Sequence, residues 1–476
     1  MEPRTVHQGA AVVSAIRSDR GARVFVWSVW LVMILVALVT LARYGRNIPL
    51  AEDWYFVSPI TGNEPNLVNW LWAQNNEHRV PLPRLILLTL LKVTHGDFRA
   101  GMVFNVITLG VLAFVMIRVA QHLRGGQTSF ADAFFPVALL HLGNWPNLFW
   151  GWQFSFVLST TLTCTLLLVL VSHRTLSTSS AVVVAGICLV LLPLCGATGL
   201  VFVPLLTLWL LYCGVLQWHA VKVNGGQRWI SSFLIGTAVI ALCFMGLYFV
   251  GYKRPTWNPP NPGIGATLKT TAKFLALGFG PVAAESWTLS VMVAFGFLLP
   301  SAAVAVLAVL RHQGLERHRA LGILLFFGNL ALFALAIGWG RAGYIPKVGL
   351  PMRYVLLAVP TLCTAYFVWE LYGSSKLRTV AQRGLFLGMC LLLPFNTVAG
   401  LLKWGHWYHR GMEAVEQDLL AGNPPSILAE EHRDFLIHWW DENQLAEGMQ
   451  MLQDAGIGPF AQMQEEPVNS ESSILK

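Results

Sequence analysis

Charge is what this chain has least of: 12% of its 476 residues are Asp, Glu, Lys or Arg, while 55% are hydrophobic. Ordinary soluble domains carry about 25% charged residues, so a string of soluble domains is excluded. A mean hydropathy of +0.57 describes a polytopic membrane protein. The seven cysteines (164, 188, 195, 213, 243, 363 and 390) all sit in apolar runs without CxxC spacing, which argues against a disulfide framework or a zinc ribbon. Lone histidine pairs such as His406/His409 and His432/His438, without Cys or acidic partners in their pattern, give no metal-site signature either. No internal repeat is present, and the only biased tract is the Pro-rich segment Arg254 to Pro262. An aromatic-basic soluble module is also missing, so the net charge of +8 points to anionic phosphates at a lipid surface and not to nucleic acid.

What is there is a series of long apolar runs. Arg17, Arg20 and Arg23 precede the first, at 24–42, which is long enough for a core that needs about 20 helical residues and reads as a retained signal anchor. Further runs lie at 99–118, 131–149, 153–171, 181–199, 200–217, 230–250, 287–310, 320–339, 354–372 and 384–402. The expected fold is therefore all-α, a polytopic bundle of about eleven spanning helices. Residues 81–95 cover only about 22 Å as a helix and place Arg84, Lys92 and His95 on one arc, which suits a helix lying in the interface.

If 81–95 does not cross, the short loops on the amino-terminal side are all basic: Arg118/Arg124, Arg174, Lys222/Arg228, Arg311/Arg317/Arg319 and Lys376/Arg378/Arg383. The positive-inside rule then predicts a cytoplasmic amino terminus. It puts 43–98, 251–286, 340–353 and the carboxy-terminal tail outside. Residues 1–403 form the transmembrane domain, with 43–98 its first outer loop. From Lys403 onward there are 13 acids against 4 bases, so 404–476 reads as an acidic helical tail, touching the body or the membrane through Trp439-Trp440.

Three patches could carry chemistry. The first outer loop holds Glu52 and Asp53 directly before Trp54-Tyr55, then Glu77-His78-Arg79 before Pro81. Carboxylates among aromatics at a membrane surface are desolvated, which favours general-base work; an acid pair that merely solvates the loop or caps a helix accounts for the same residues. The second patch is Gly340-Arg341-Ala342-Gly343-Tyr344-Ile345-Pro346-Lys347, followed by Met352-Arg353. Three bases in 13 residues at a lipid boundary suit a phosphate, with snorkelling as the competing account. The third is Asn144 to Gln153, where Trp152 and Gln153 offer a ring face and an amide to a sugar; an aromatic belt explains the tryptophans equally well.

The first spanning helix, the acidic-aromatic outer loop, the His78-Arg79-Val80-Pro81 approach to an interfacial helix and Gly96-Asp97-Phe98-Arg99 at the next span together resemble the GT-C membrane glycosyltransferases, which include lipid A aminoarabinose transferases and protein O-mannosyltransferases. The match covers about the first 160 residues and the patch near 340–354. His-Arg-Val-Pro stands where such enzymes carry His-Pro-Pro, so the chain is similar to a divergent branch. The resemblance implies an inner-membrane enzyme that moves a sugar from a polyprenyl-phosphate carrier to an acceptor hydroxyl at the outer face. It implies Asp53 as the base, with Glu52 as second claimant, and His78 orienting it. Glu77, Arg79, Arg341, Tyr344, Lys347 and Arg353, with Trp152 and Gln153, would hold the donor. A divalent metal enters only if Glu52 and Asp53 both coordinate it. The rivals are a lipid-linked glycan polymerase or ligase, which places its chemistry in a later loop, and a transporter, which needs mid-membrane charges or broken helices.

Overall fold

The computed structural model describes residues 4–172, 178–224, 228–345 and 349–464. Regular structure among them is helical throughout, with an isolated two-residue bridge between Asn75 and His78 and no strand. The main helices are α1 (Arg4–Tyr44), α2 (Pro81–Val93), α3 (Arg99–Leu123), α4 (Phe154–Ser172), α5 (Ser179–Leu191), α6 (Val203–Asn224), α7 (Arg228–Phe249) and α8 (Ile264–Ala276). There follow α9 (Trp287–Arg311), α10 (Gly314–Arg341), α11 (Tyr354–Tyr372), α12 (Ser375–Gly400), α13 (His406–Leu420), α14 (Pro425–Leu436) and α15 (Glu442–Asp454). Nine helices among the described residues are long and apolar enough to cross a membrane. The chain is a multi-pass helical membrane protein.

The expectation of eleven unbroken spans changes at two places. The run 131–149 is split into Phe134–Leu140, a 3-10 turn Leu142–Asn144, and Trp145–Phe149, with extended backbone at His141 and Trp150. Pro136 and Pro146 remove donors, and every residue from 131 to 155 is buried. Irregular backbone at membrane depth survives only where protein covers it. Its ends nonetheless reach both ends of the bundle: the Ser129–Asp132 turn is tied to Arg124 and, through it, Glu370, while the Trp150 indole donates to the Leu50 carbonyl at 3.1 Å. The run 181–199 breaks likewise, because α5 gives way to a 3-10 turn Leu192–Cys195 that starts at Leu192-Pro193, and to Gly196 at φ +92°.

Helix α11 is the axis. Tyr354 to Glu370 is buried without interruption, whereas α1 leaves Val24, Leu31, Val32, Leu35 and Val39 bare on its outer side, as a lipid-facing helix does. Helix α12 runs on through a π turn (Leu401–Gly405) into α13, carrying the acidic tail out of the bundle.

The tail folds back over the first loop. Trp54 is 1% exposed, between Trp440 (ring centroids 6.4 Å) and Phe460 (5.9 Å). Arg46 donates to Glu416 at 2.7 Å. Gly96 sits at φ +82°, and a Cβ there would lie 2.7 Å from Ile457 Cγ2, so both conformation and space require glycine.

Candidate functional site

A cavity of about 1080 Å³ lies where the first loop, the end of α10, the start of α11 and the tail converge. The sequence builds it from short, irregular pieces. Residues 51–56 form a single 3-10 turn. Near Glu77, Asn75 and His78 exchange backbone hydrogen bonds at 2.8 Å, with Asn76 at φ +49°. That tight turn projects Glu77 and His78 into the cavity. The Tyr248 hydroxyl pins it by donating to the Glu77 carbonyl at 2.8 Å, and Gln74 bonds both backbone groups of Lys253.

Glu52, Glu77, His78, Arg341, Tyr344, Arg353, Trp152 and Gln153, all expected site residues, line this one cavity. Glu77 accepts from Arg341 at 2.6 Å, and the Arg341 guanidinium lies over the Tyr344 and Tyr354 rings. The Tyr344 hydroxyl donates to Asn258 of the Pro-rich segment, whose Trp257 and Asn258 roof the cavity. Lys347 lies outside the described residues. Arg353 lines the cavity with Glu52 and His78, its charge acts on both, and no carboxylate pairs with it among the described residues.

The electrostatics separate these groups. Burial pushes the Glu52 carboxyl above its ordinary value, against the pull of Arg353, and its buried Oε2 has no hydrogen-bond partner among the described residues. Burial also pushes Glu77 upward, but Arg341 and His78 outweigh it and hold the carboxyl below its usual range. His78 is lowered to about 4, by burial first and then by Arg341 and Arg353 against Glu77, so it is neutral at pH 7.

Two expected site residues lie outside the cavity lining. Asp53 does not line the cavity: it is 4% exposed, and its Oδ1 accepts from the Trp152 backbone N–H at 2.9 Å. Burial, then the neighbouring Glu52, raise its pKa to about 8. The hydrogen bond from the Trp152 N–H anchors the Gly151-Trp152 turn. Arg79 likewise turns away, donating to the carbonyls of Trp72 (3.0 Å) and Val250 (2.9 Å), which ties the first loop to the end of α7. Asp53 Oδ1 is engaged by Trp152, and Glu52 and Asp53 belong to no group of three candidate ligands among the described residues. The one group of three candidate ligands among the described residues, Asp418, Glu431 and His432, lies in the tail and lines no part of this cavity.

Other lining residues are not among those expected at the site: the sequence places Arg84 on an interfacial arc with Lys92 and His95, and Trp439 on a face of the tail. Arg84 points inward, 3% exposed, and donates to the carbonyls of Trp70 (2.6 Å) and Ala73 (2.7 Å) beneath the Trp70 and Trp152 rings. Burial lowers its pKa to about 10, leaving it charged at neutral pH. The signal was present: Arg84 shares the i+3, i+4 and i+7 face with Leu87, Leu88 and Leu91, the buried face of α2. From the tail, Trp407, Asp434, His438 and Trp439 close the opposite wall, and the Trp439 indole donates to the Tyr55 hydroxyl at 2.9 Å.

Among the described residues, the cavity lining thus combines a carboxylate with one unpartnered oxygen and a guanidinium that pairs with no carboxylate, between aromatic walls. No protein-family model and no curated protein sequence matches the chain.

Proposed function

We propose that this protein is a membrane glycosyltransferase of GT-C-like design, which moves a sugar from a polyprenyl-phosphate carrier to an acceptor hydroxyl at the outer face of the membrane. The observation that carries this reading is Glu52, which lines the cavity together with Arg353 and whose buried Oε2 has no hydrogen-bond partner among the described residues. A carboxylate whose pKa burial has raised is suited to general-base work near neutral pH. A guanidinium free of carboxylates is suited to a phosphate whose charge grows as it departs.

The reaction is a displacement at the anomeric carbon. Glu52 takes the proton of the acceptor hydroxyl as the acceptor oxygen bonds to that carbon. The bond from carbon to phosphate oxygen breaks, and its electron pair leaves with the polyprenyl phosphate. Arg353 holds that phosphate, with Arg341 behind it, partly neutralised by Glu77. Neutral His78 offers a donor or acceptor beside them without adding charge. Trp152, Gln153 and Tyr55 present ring faces and polar groups to the sugar.

The test is to supply the purified protein in nanodiscs with radiolabelled polyprenyl-phosphate sugars and measure release of free carrier phosphate. Release that requires an acceptor supports the reading, and intact donor after prolonged incubation with every sugar tried overturns it. The two broken spans are a feature that a lipid transporter would share. A transporter moves the donor across a sealed bilayer with its sugar–phosphate bond intact, so the same labelled lipid separates the two.

A further inference from the structure

At the opposite end of the bundle, a second pocket of about 360 Å³ opens between α1 and α3, lined by Arg23, Trp27, Arg118 and His122 and closed by the Gly125-Gly126 turn. This is the end to which the basic loops converge, and three bases outside the pocket are engaged by carboxylates. Arg124 pairs with Asp132 and Glu370, Arg378 with Glu370, and Arg319 with Glu316. Arg23 and Arg118 line the pocket itself. Arg118 meets no carboxylate among the described residues, only the Gln121 amide oxygen at 3.5 Å. Arg23 pairs with Asp19 at 3.0 Å, and the second oxygen of that carboxylate accepts from the Thr128 N–H at 2.7 Å, so one carboxylate stands against the two guanidiniums. The pocket therefore carries surplus positive charge.

The helix below it shows what kind of anion fits. On α3, Val111, Phe114 and Val115 precede Arg118 by seven, four and three residues, so they lie on its face of the helix. They are exposed apolar side chains, as is Ile107 one turn further down. Trp27 stands beside this stripe, its ring 5.0 Å from Phe114. A charged pocket at the head of a bare apolar track has the dimensions and polarity of a phospholipid seat, with phosphate above and acyl chain below.

We propose that Arg23, Arg118 and His122 bind the phosphodiester headgroup of an anionic phospholipid whose acyl chain lies along Ile107, Val111 and Phe114. This site is independent of the glycosyltransferase reading and stands or falls apart from it.

The experiment places the full-length protein in phosphatidylcholine nanodiscs containing a minor fraction of phosphatidylglycerol and counts retained phosphatidylglycerol by native mass spectrometry. Arg118→Gln with Arg23→Gln should reduce retention about 10- to 30-fold, the effect of two bases near a membrane surface. Arg118→Lys keeps the charge and should restore most of it, which separates loss of binding from loss of folding. Arg311→Gln removes a base at the same end of the bundle but outside the pocket and should change nothing. Unchanged retention in the double variant overturns the proposal, and so does an equal loss in Arg311→Gln, which would reduce it to general surface charge. Displacement of the lipid by millimolar inorganic phosphate would also overturn it, because the acyl track would then contribute nothing.

Discussion

The Glu77 carboxylate and the Arg341 guanidinium, 264 residues apart in the chain, meet at 2.6 Å and join the first loop to the end of α10 across the cavity. Both side chains are about one-fifth exposed. Removing either partner leaves a half-buried charge unpaired, and Glu77→Ala should cost about 1–3 kcal/mol. The sign with pH follows from the lowered pKa of Glu77. The stabilisation is fully present above the ordinary carboxyl value and is lost as pH falls through the lower folded-state value. Thermal unfolding of wild type and Glu77→Ala should therefore converge in acid, and a constant gap down to pH 3 would show that the pair contributes little.

Glu52→Gln keeps shape and hydrogen bonding while removing the base, so turnover should fall by about 10²–10⁴-fold with donor binding nearly unchanged. Because burial raises the Glu52 pKa, kcat/KM of the wild type should rise with pH through that elevated value. A Glu52→Gln variant with wild-type turnover would move the proposed base elsewhere.

Asp53→Asn should be mild in activity, since the amide oxygen can still accept from the Trp152 N–H. A carboxyl raised to about 8 stabilises the fold below its ordinary value and loses that contribution as pH rises through 8. Asp53→Asn should therefore unfold at a temperature equal to or above wild type at pH 8.5, with little difference at pH 5. A loss of turnover as large as that of Glu52→Gln would return Asp53 to the chemistry.

Arg353→Ala should weaken binding of polyprenyl phosphate by about 10- to 100-fold, the loss of one charge-assisted contact of about 1.5–3 kcal/mol. Arg79→Ala, which strips two carbonyls of their donor, should lower thermal stability instead. Binding to nanodisc-embedded variants, measured beside their unfolding temperatures, separates the two arginines; equal affinity loss in both would contradict the geometry.

Orientation is open to a direct check. In a background with Cys243 and Cys390 replaced by serine, single cysteines at Asn66 and Asn258 should label from outside intact cells, and one at Gln313 only after permeabilisation. External labelling of Gln313 would invert the topology and move the cavity to the other face.

The bundle was legible in the sequence because lipid imposes one rule on every span: about 20 apolar residues with their backbone bonded internally. Where protein replaces lipid that rule lapses, and the breaks at His141 and Gly196 escaped it. The loops followed the same division. Glu52 and Asp53 are adjacent in a single 3-10 turn, so no periodicity says which faces the cavity; Trp152, a hundred residues on, decides it by claiming Asp53. Arg79 and Arg84 changed places for a similar reason, since carbonyls of Trp72 and Val250 capture the first, while the apolar face of α2 carries the second inward.

The buried, broken segment 131–155 also bears on how the protein is made. With His141, Asn144, Asn147 and two prolines it is poorly suited to leave the translocon alone, and none of its surface is destined for lipid. Its aromatic partners at Tyr366 and Phe367 are synthesised more than 200 residues later. Until they arrive, the nascent chain must shelter this segment between α3 and α4 or hold it in the insertion machinery. Packing of this segment thus waits on α11, and chains truncated before α11 would leave Phe134 and Phe135 without these ring partners.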